Sequence, residues 1–206
     1  LAEDGSWFVN IKEHCEDGER HLYVRDLTIA HKRVWGWKFI DELIWRNTRN
    51  GTPGVWPNRF KNAYEPVLQF ADRVGLKFRA KNVATESSLA FSYDKSNEES
   101  KTNGILLGKH GGFHDGLALP SNVVEVAPSS ESDHGAAFPV NLPVFFIRAY
   151  SDPLDAIFDP FLGSSTTVVA AEKTGRIGYG IELSPKYVAI GLERLSKLGL
   201  TPRLCA

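Results

Sequence analysis

The stretch IFDPFLGSSTTVVAAEKTGRIGYGIEL, residues 157–183, constrains the fold more than any other part of the chain. A short apolar run ends in Asp159, a turn of small and hydroxyl residues follows, and TVVAAEKTG reads as a helix closed by Gly175. A second apolar run, IGYGIEL, carries Glu182 near its end. SPKYVAIGLERLSKLG then reads as an amphipathic helix with Ser184 as N-cap and Pro185 in its first turn. Strand, helix, strand, helix in this order places two parallel strands side by side, with the connecting helix packed on the sheet. The turn and both acids then meet at the carboxyl ends of the strands, where open α/β sheets bind ligands.

A glycine-containing turn from strand into helix exposes backbone N–H groups to a ligand. An acid at the tip of the next strand can accept hydrogen bonds from two ribose hydroxyls. Glu182 lies 23 residues beyond Asp159, near the roughly 20-residue offset of that arrangement, so an adenosine ligand is expected. A dinucleotide site needs G-x-G-x-x-G and a P-loop needs GK[ST]. Gly163 followed by Ser164, Ser165, Thr166 and Thr167 supplies neither. Asp159 would repel a phosphate at short range but attract the ammonium of an amino acid. S-adenosylmethionine (SAM) carries both an adenosine and an ammonium.

The rest of the chain supports an α/β sheet. SWFVNIK, FIDELIW (39–45), YEPVLQFA (64–71) and SNVVEVA (121–127) have the branched and aromatic content of strands. Residues 21–34 have helical spacing closed by Gly36, and a further helix is expected to begin near Phe138 and Pro139. At 206 residues the chain fits one domain, or one domain with an inserted lobe. Residues 81–120, polar and rich in Gly and Ser, are read as that small lobe or as a loop. No apolar run approaches the roughly 20 residues of a membrane span, and the N-terminus lacks the pattern of a signal peptide. Cys15 and Cys205, without a CxxC spacing, favour free thiols in a reducing, cytoplasmic setting. No metal site is expected, since His14, Cys15, His21, His110 and His114 match no ligand spacing.

The formal net charge of -1 hides a gradient: residues 31–81 hold eleven Lys and Arg against four acids. Within this segment the loop 46–63 concentrates Arg46, Arg49, Arg59 and Lys61, candidates for phosphate contacts, around Trp56, a candidate for contact with a displaced base or sugar. The competing reading is a solvated basic face with no partner. Trp7, Trp35, Trp37 and Trp45 are expected in the core.

DPFLGSSTT, GYGIEL and SPKYVAIGLERL together resemble the SAM-binding motifs of the DNA methyltransferases that modify exocyclic amino groups, adenine N6 or cytosine N4. GSWFVNIK, FIDELIW, NRFKNAYEPVLQF and HGAAFPVNLP, in that order, resemble the permuted β group of that family. There the catalytic half comes first, target recognition second and the SAM half last. The resemblance implies a Rossmann-like SAM-dependent methyltransferase sheet, incomplete in this chain. Residues 1–80 would form its first part, 81–120 a target-recognition insertion and 121–206 the SAM-binding half. It implies a SAM site on Asp159, Phe161, Gly163, Thr166, Thr167 and Glu182, with His134, Phe138 and Pro139 at the methionine end. It also implies double-stranded DNA as partner, in a restriction-modification, orphan or phage-type system, with a homodimer left open.

Two departures qualify the resemblance. Ser165 stands where the family usually has glycine, and a positive φ there would cost on the order of 1 kcal/mol. The [DNS]PP[YFW] tetrapeptide that holds the flipped base is missing, for the chain contains no Pro-Pro pair. In the β-group order it would precede Leu1, so no catalytic residue is assigned and the chain alone is expected to be inactive. The alternatives are a degenerate DNA-binding or regulatory subunit, and a SAM-dependent methyltransferase acting on RNA or a small molecule.

Overall fold

In the computed structural model residues 1–46, 58, 60, 62–86, 101–102, 105–106, 117–118, 120–126 and 138–203 are described. In chain order they form strand β1 (Trp7–Asn10), a hairpin of β2 (Cys15–Glu16) and β3 (Glu19–Arg20), helix α1 (Tyr23–Arg33), and strands β4 (Lys38–Arg46) and β5 (Tyr64–Ala71). Four two-residue strands follow: β6 (Thr85–Glu86), β7 (Lys101–Thr102), β8 (Ile105–Leu106) and β9 (Leu117–Ala118). β10 (Val123–Glu125), α2 (Asn141–Tyr150), β11 (Ala156–Asp159), α3 (Thr166–Lys173), β12 (Ile177–Gly180) and α4 (Pro185–Lys197) complete the order.

The larger sheet runs β1-β5-β4-β10, with β5 antiparallel to both neighbours and β10 parallel to β4. Alternation along β5 splits its side chains between two layers. Leu68 and Phe70 meet Val24 of α1, with Val9, Ile11 and Trp37 around them. Val67 faces the opposite way, joining Leu43, Trp45 and Val124 beneath Leu142 and Phe146 of α2. Thus α1 covers one face and α2 the other. Gly36, at φ 75°, takes the chain out of α1, as its sequence position predicts.

β11 and β12 form a separate parallel pair, with Ile157 directed into a cluster built on Val169, Ala170 and Ala171 of α3. Val140 and Ile147, beside and on α2, belong to that same cluster, so one helix packs against both sheets. A β-carbon at Gly178 would lie 3.1 Å from the Val168 backbone, so glycine allows α3 to rest directly on β12. Among the described residues, β1 and β11 each have a partner strand on one side only.

An ionic clasp joins the two halves. Lys77 Nζ lies 2.7 Å from Asp155, 3.2 Å from Asp152 and 3.6 Å from Asp4, and Arg79 donates to both oxygens of Asp152 at 2.9 Å. The Arg79 N–H also donates to the Ala149 carbonyl at 2.6 Å.

Three expectations are corrected. The helix expected at Phe138 and Pro139 begins at Asn141; the proline in its first turn, where no N–H is required, is Pro143. Trp35 is 56% exposed, not core, because it follows the end of α1 and sets only an edge against His31. β12 stops at Gly180, before Glu182, because the chain turns there to cap α4. Of the segment 81–120, β6 pairs with β9 and β7 with β8, antiparallel in both cases. Among the described residues no helix is long and apolar enough to cross a membrane.

Candidate functional site

The turn between β11 and α3 has two residues in the left-handed region, with Ser164 between them. Gly163 has φ 55°, and Ser165, the N-cap of α3, has φ 66° and ψ 27°. Glycine tolerates the first, whereas the left-handed serine costs on the order of 1 kcal/mol. The conformation makes the turn tight, and the two acids hold it. Asp159 Oδ1 accepts from the Phe161 N–H at 2.9 Å, and its Oδ2 accepts from Thr167 Oγ1 at 2.6 Å. Glu182 Oε2 accepts from the Gly163 N–H at 2.7 Å, and its Oε1 accepts from the Ser184 N–H at 2.7 Å. These last two bonds, Ser184 first, hold the Glu182 carboxyl below the usual carboxylate range, so it is an anion near neutral pH. The parallel register sets Asp159 opposite Gly180, two residues before Glu182, which is why both carboxylates reach one turn.

Asp159, Phe161, Gly163, Thr166, Thr167 and Glu182 are therefore gathered at the ends of two adjacent strands. Phe161 is 86% exposed beside the turn, and a β-carbon at Gly163 would meet nothing within 4 Å, so the turn is open on that side. A flat apolar ring, an open glycine and two anchored carboxylates suit an adenosine with an attached ammonium, and the donor set fits SAM. Phe138 is half-buried and packs against the cluster under α2, and Pro139 is buried where the chain enters α2. His134 lies outside the described residues. The sequence reading passed over Ser184 as a partner of Glu182; its place two residues after the acid was the available signal.

Of the nucleic-acid candidates, Arg49, Trp56, Arg59 and Lys61 lie outside the described residues. Arg46 ends β4 and donates to Glu125 of β10 at 2.7 Å, so it is committed to an ion pair across the sheet edge. The basic surplus of residues 31–81 is smaller in space than in sequence. Arg46, Arg73, Lys77 and Arg79 pair with Glu125, Glu3, Asp4, Asp152 and Asp155, all acids from outside the segment. The hairpin β2–β3 abuts the C-terminal part of the loop: Asn58 donates to the Gly18 carbonyl at 3.1 Å and Arg20 to Asn62 at 2.5 Å.

A tight turn clamped between Asp159, at the end of β11, and Glu182, two residues beyond β12, sits at the carboxyl ends of two parallel strands, the place where open α/β sheets bind ligands. A model of the N6/N4 DNA methylase family matches residues 1–193, and the chain belongs to that family. It is 32% identical over 220 residues to the Type II methyltransferase M.PvuII of Proteus hauseri, covering 94% of this chain and 66% of that protein. It is 26% identical over 206 residues to the Type II beta methyltransferase M.BslI of Bacillus sp. (strain NEB-606), covering 95% of this chain and 20% of that protein. The solved PvuII DNA methyltransferase (cytosine-N4-specific) superposes with a TM-score of 0.70 at 26% identity, over 94% of this chain and 64% of that one. The chain thus has the methyltransferase fold and spans about two thirds or less of the length of these relatives.

Proposed function

We propose that this chain is the SAM-binding and target-recognition part of a β-group DNA amino-methyltransferase, modifying adenine N6 or cytosine N4 in double-stranded DNA. The observation that carries the reading is the clamped turn at Gly163–Thr167, flanked by Asp159 and Glu182, in a chain of the DNA methylase family. Its likeness to Type II methyltransferases favours a restriction-modification setting.

In this reading Glu182 receives the ribose hydroxyls, Phe161 lies against the adenine, and Asp159 orients the ammonium, with Phe138, Pro139 and His134 toward the methionine end. When bound, SAM supplies an electrophilic methyl group for a nucleophilic amino nitrogen. The chain's residues contribute position and an anionic frame, since direct transfer to an amine depends mainly on alignment. The order of elements supports the permuted arrangement: the β1–β5 part first, the segment 81–120 next, the turn last. A strand preceding Leu1 and carrying [DNS]PP[YFW] would fit between β1 and β11, whose edges there lack partners among the described residues, and would join both sheets into one. Arg49, Arg59 and Lys61, with Trp56, are the residues proposed for DNA.

The test is to incubate the full-length protein with SAM and duplex DNA, digest the DNA and identify methylated nucleosides by mass spectrometry. N6-methyladenine or N4-methylcytosine is expected. Methylation of RNA alone would replace DNA as substrate, and absence of SAM binding at millimolar ligand would remove the enzyme reading. DNA affinity should fall steeply with salt, as phosphate contacts release counterions.

A further inference from the structure

The cofactor turn has a third anchor besides its two acids. Helix α4 passes it at Gly191, which is buried; a β-carbon there would lie 2.2 Å from Ser165 Oγ and 3.3 Å from Ser165 Cβ. Ser165 itself is only 3% exposed, so its side chain occupies the notch that the glycine leaves on the helix. Three residues further along α4, Arg194 Nη1 donates to the Ser164 carbonyl at 3.2 Å and to Thr166 Oγ1 at 3.0 Å. Leu195, four residues from Gly191, is buried against α3. Spacings of three and four put Gly191, Arg194 and Leu195 on one face of α4, toward the turn and α3.

Two residues here are locally unfavourable. A serine in the left-handed region is strained, and a glycine inside a helix is a poor helix former. They meet at one contact, where each accounts for the other. Any side chain at position 191 would push against the serine, and a smaller residue in the turn would leave the notch unfilled.

We infer that Ser165 and Gly191 form a size-matched pair through which α4 sets the position of the cofactor turn, with Arg194 as a second positioning residue. The pair deepens the SAM-site reading and its role in binding rests on it. The contact also explains how Ser165 is accommodated where glycine is usual: its hydroxyl points toward α4 and not into the open side of the turn at Gly163.

The test is a double-mutant cycle in the full-length protein, wild type, Ser165→Gly, Gly191→Ala and the double variant, with SAM affinity measured by calorimetry and folding by thermal melting. Gly191→Ala should weaken SAM by about fivefold or more, and adding Ser165→Gly should recover most of that loss by removing the conflicting hydroxyl. Arg194→Met should also weaken SAM while leaving a cooperative melt. A loss below about fivefold in Gly191→Ala, or a double variant as weak as Gly191→Ala, overturns the proposal. If the wild-type protein binds no SAM, the cofactor reading falls and the positioning role with it. The packing pair is then decided by melting, where additive shifts reject it and non-additive shifts sustain it.

Discussion

Arg176 lies just before β12 and is 8% exposed, a buried cation hydrogen-bonded to uncharged groups. Its Nη2 donates to the Ser151 carbonyl at 2.7 Å, its Nε to Ser151 Oγ at 3.0 Å, and its Nη1 to the Thr174 carbonyl. It thereby ties the α2–β11 connection to the α3–β12 connection. Replacing it with leucine leaves Ser151 Oγ a partner, because that hydroxyl donates to the Ile147 carbonyl at 2.5 Å. The two carbonyls lose theirs. A buried acceptor left alone costs about 1–3 kcal/mol, and Thr174, being half-buried, recovers part of its loss from water. The sum is about 3 kcal/mol for Arg176→Leu. For a chain of this size, about 2–4 °C per kcal/mol gives a fall in melting temperature of about 6–12 °C. Arg176→Lys, with a point charge in place of a fork, should fall between wild type and leucine. Thermal melting by circular dichroism reads the effect, and a shift under about 2 °C for Arg176→Leu would refute the bridging role.

Acid should loosen the clasp. Hydrogen bonds from Arg79 and then Lys77 hold Asp152 at about 2 against an ordinary 3.8, and a hydrogen bond from Lys77 lowers Asp155 as well. Both carboxyls are depressed in the folded chain, so their contribution is complete above the ordinary value and is lost as pH falls from about 4 toward 2. Asp152→Asn should flatten the melting curve against pH in that window; parallel curves for variant and wild type would contradict it. Glu182→Ala should weaken SAM severalfold or more, and unchanged affinity would mean that the ribose assignment is wrong. Because two N–H groups keep Glu182 ionised, SAM affinity should be flat between about pH 6 and 8.

Local patterning made most of the elements legible. Branched and aromatic content located β4 and β5 to within a residue, and Ser184-Pro185 and Gly175 marked helix ends where the structure has them. The turn was legible too, down to the positive φ suspected at Ser165. What sequence could not supply was pairing over distance. Nothing in the charge count of residues 31–81 revealed that Lys77 and Arg79 face Asp152 and Asp155, about 75 residues away. Gly191 reads as an ordinary weak point in α4 until the serine from the turn is seen against it. Trp35 looked like core because aromatic content predicts burial only on average.

The parallel pairing of β10 on β4 also governs the order of folding. Ile44 sits opposite Val123, and the Arg46–Glu125 ion pair spans 79 residues, whereas β4 and β5 are close in sequence. Closing so long a loop carries an entropic cost that only the completed contact offsets, so β10 is expected to dock after the rate-limiting step. Arg46→Ala should then raise the unfolding rate about twofold and leave the refolding rate unchanged in stopped-flow measurements. The β10 edge, beside the strand whose end leads into the basic loop, is thus expected to close last on folding and to open first on unfolding.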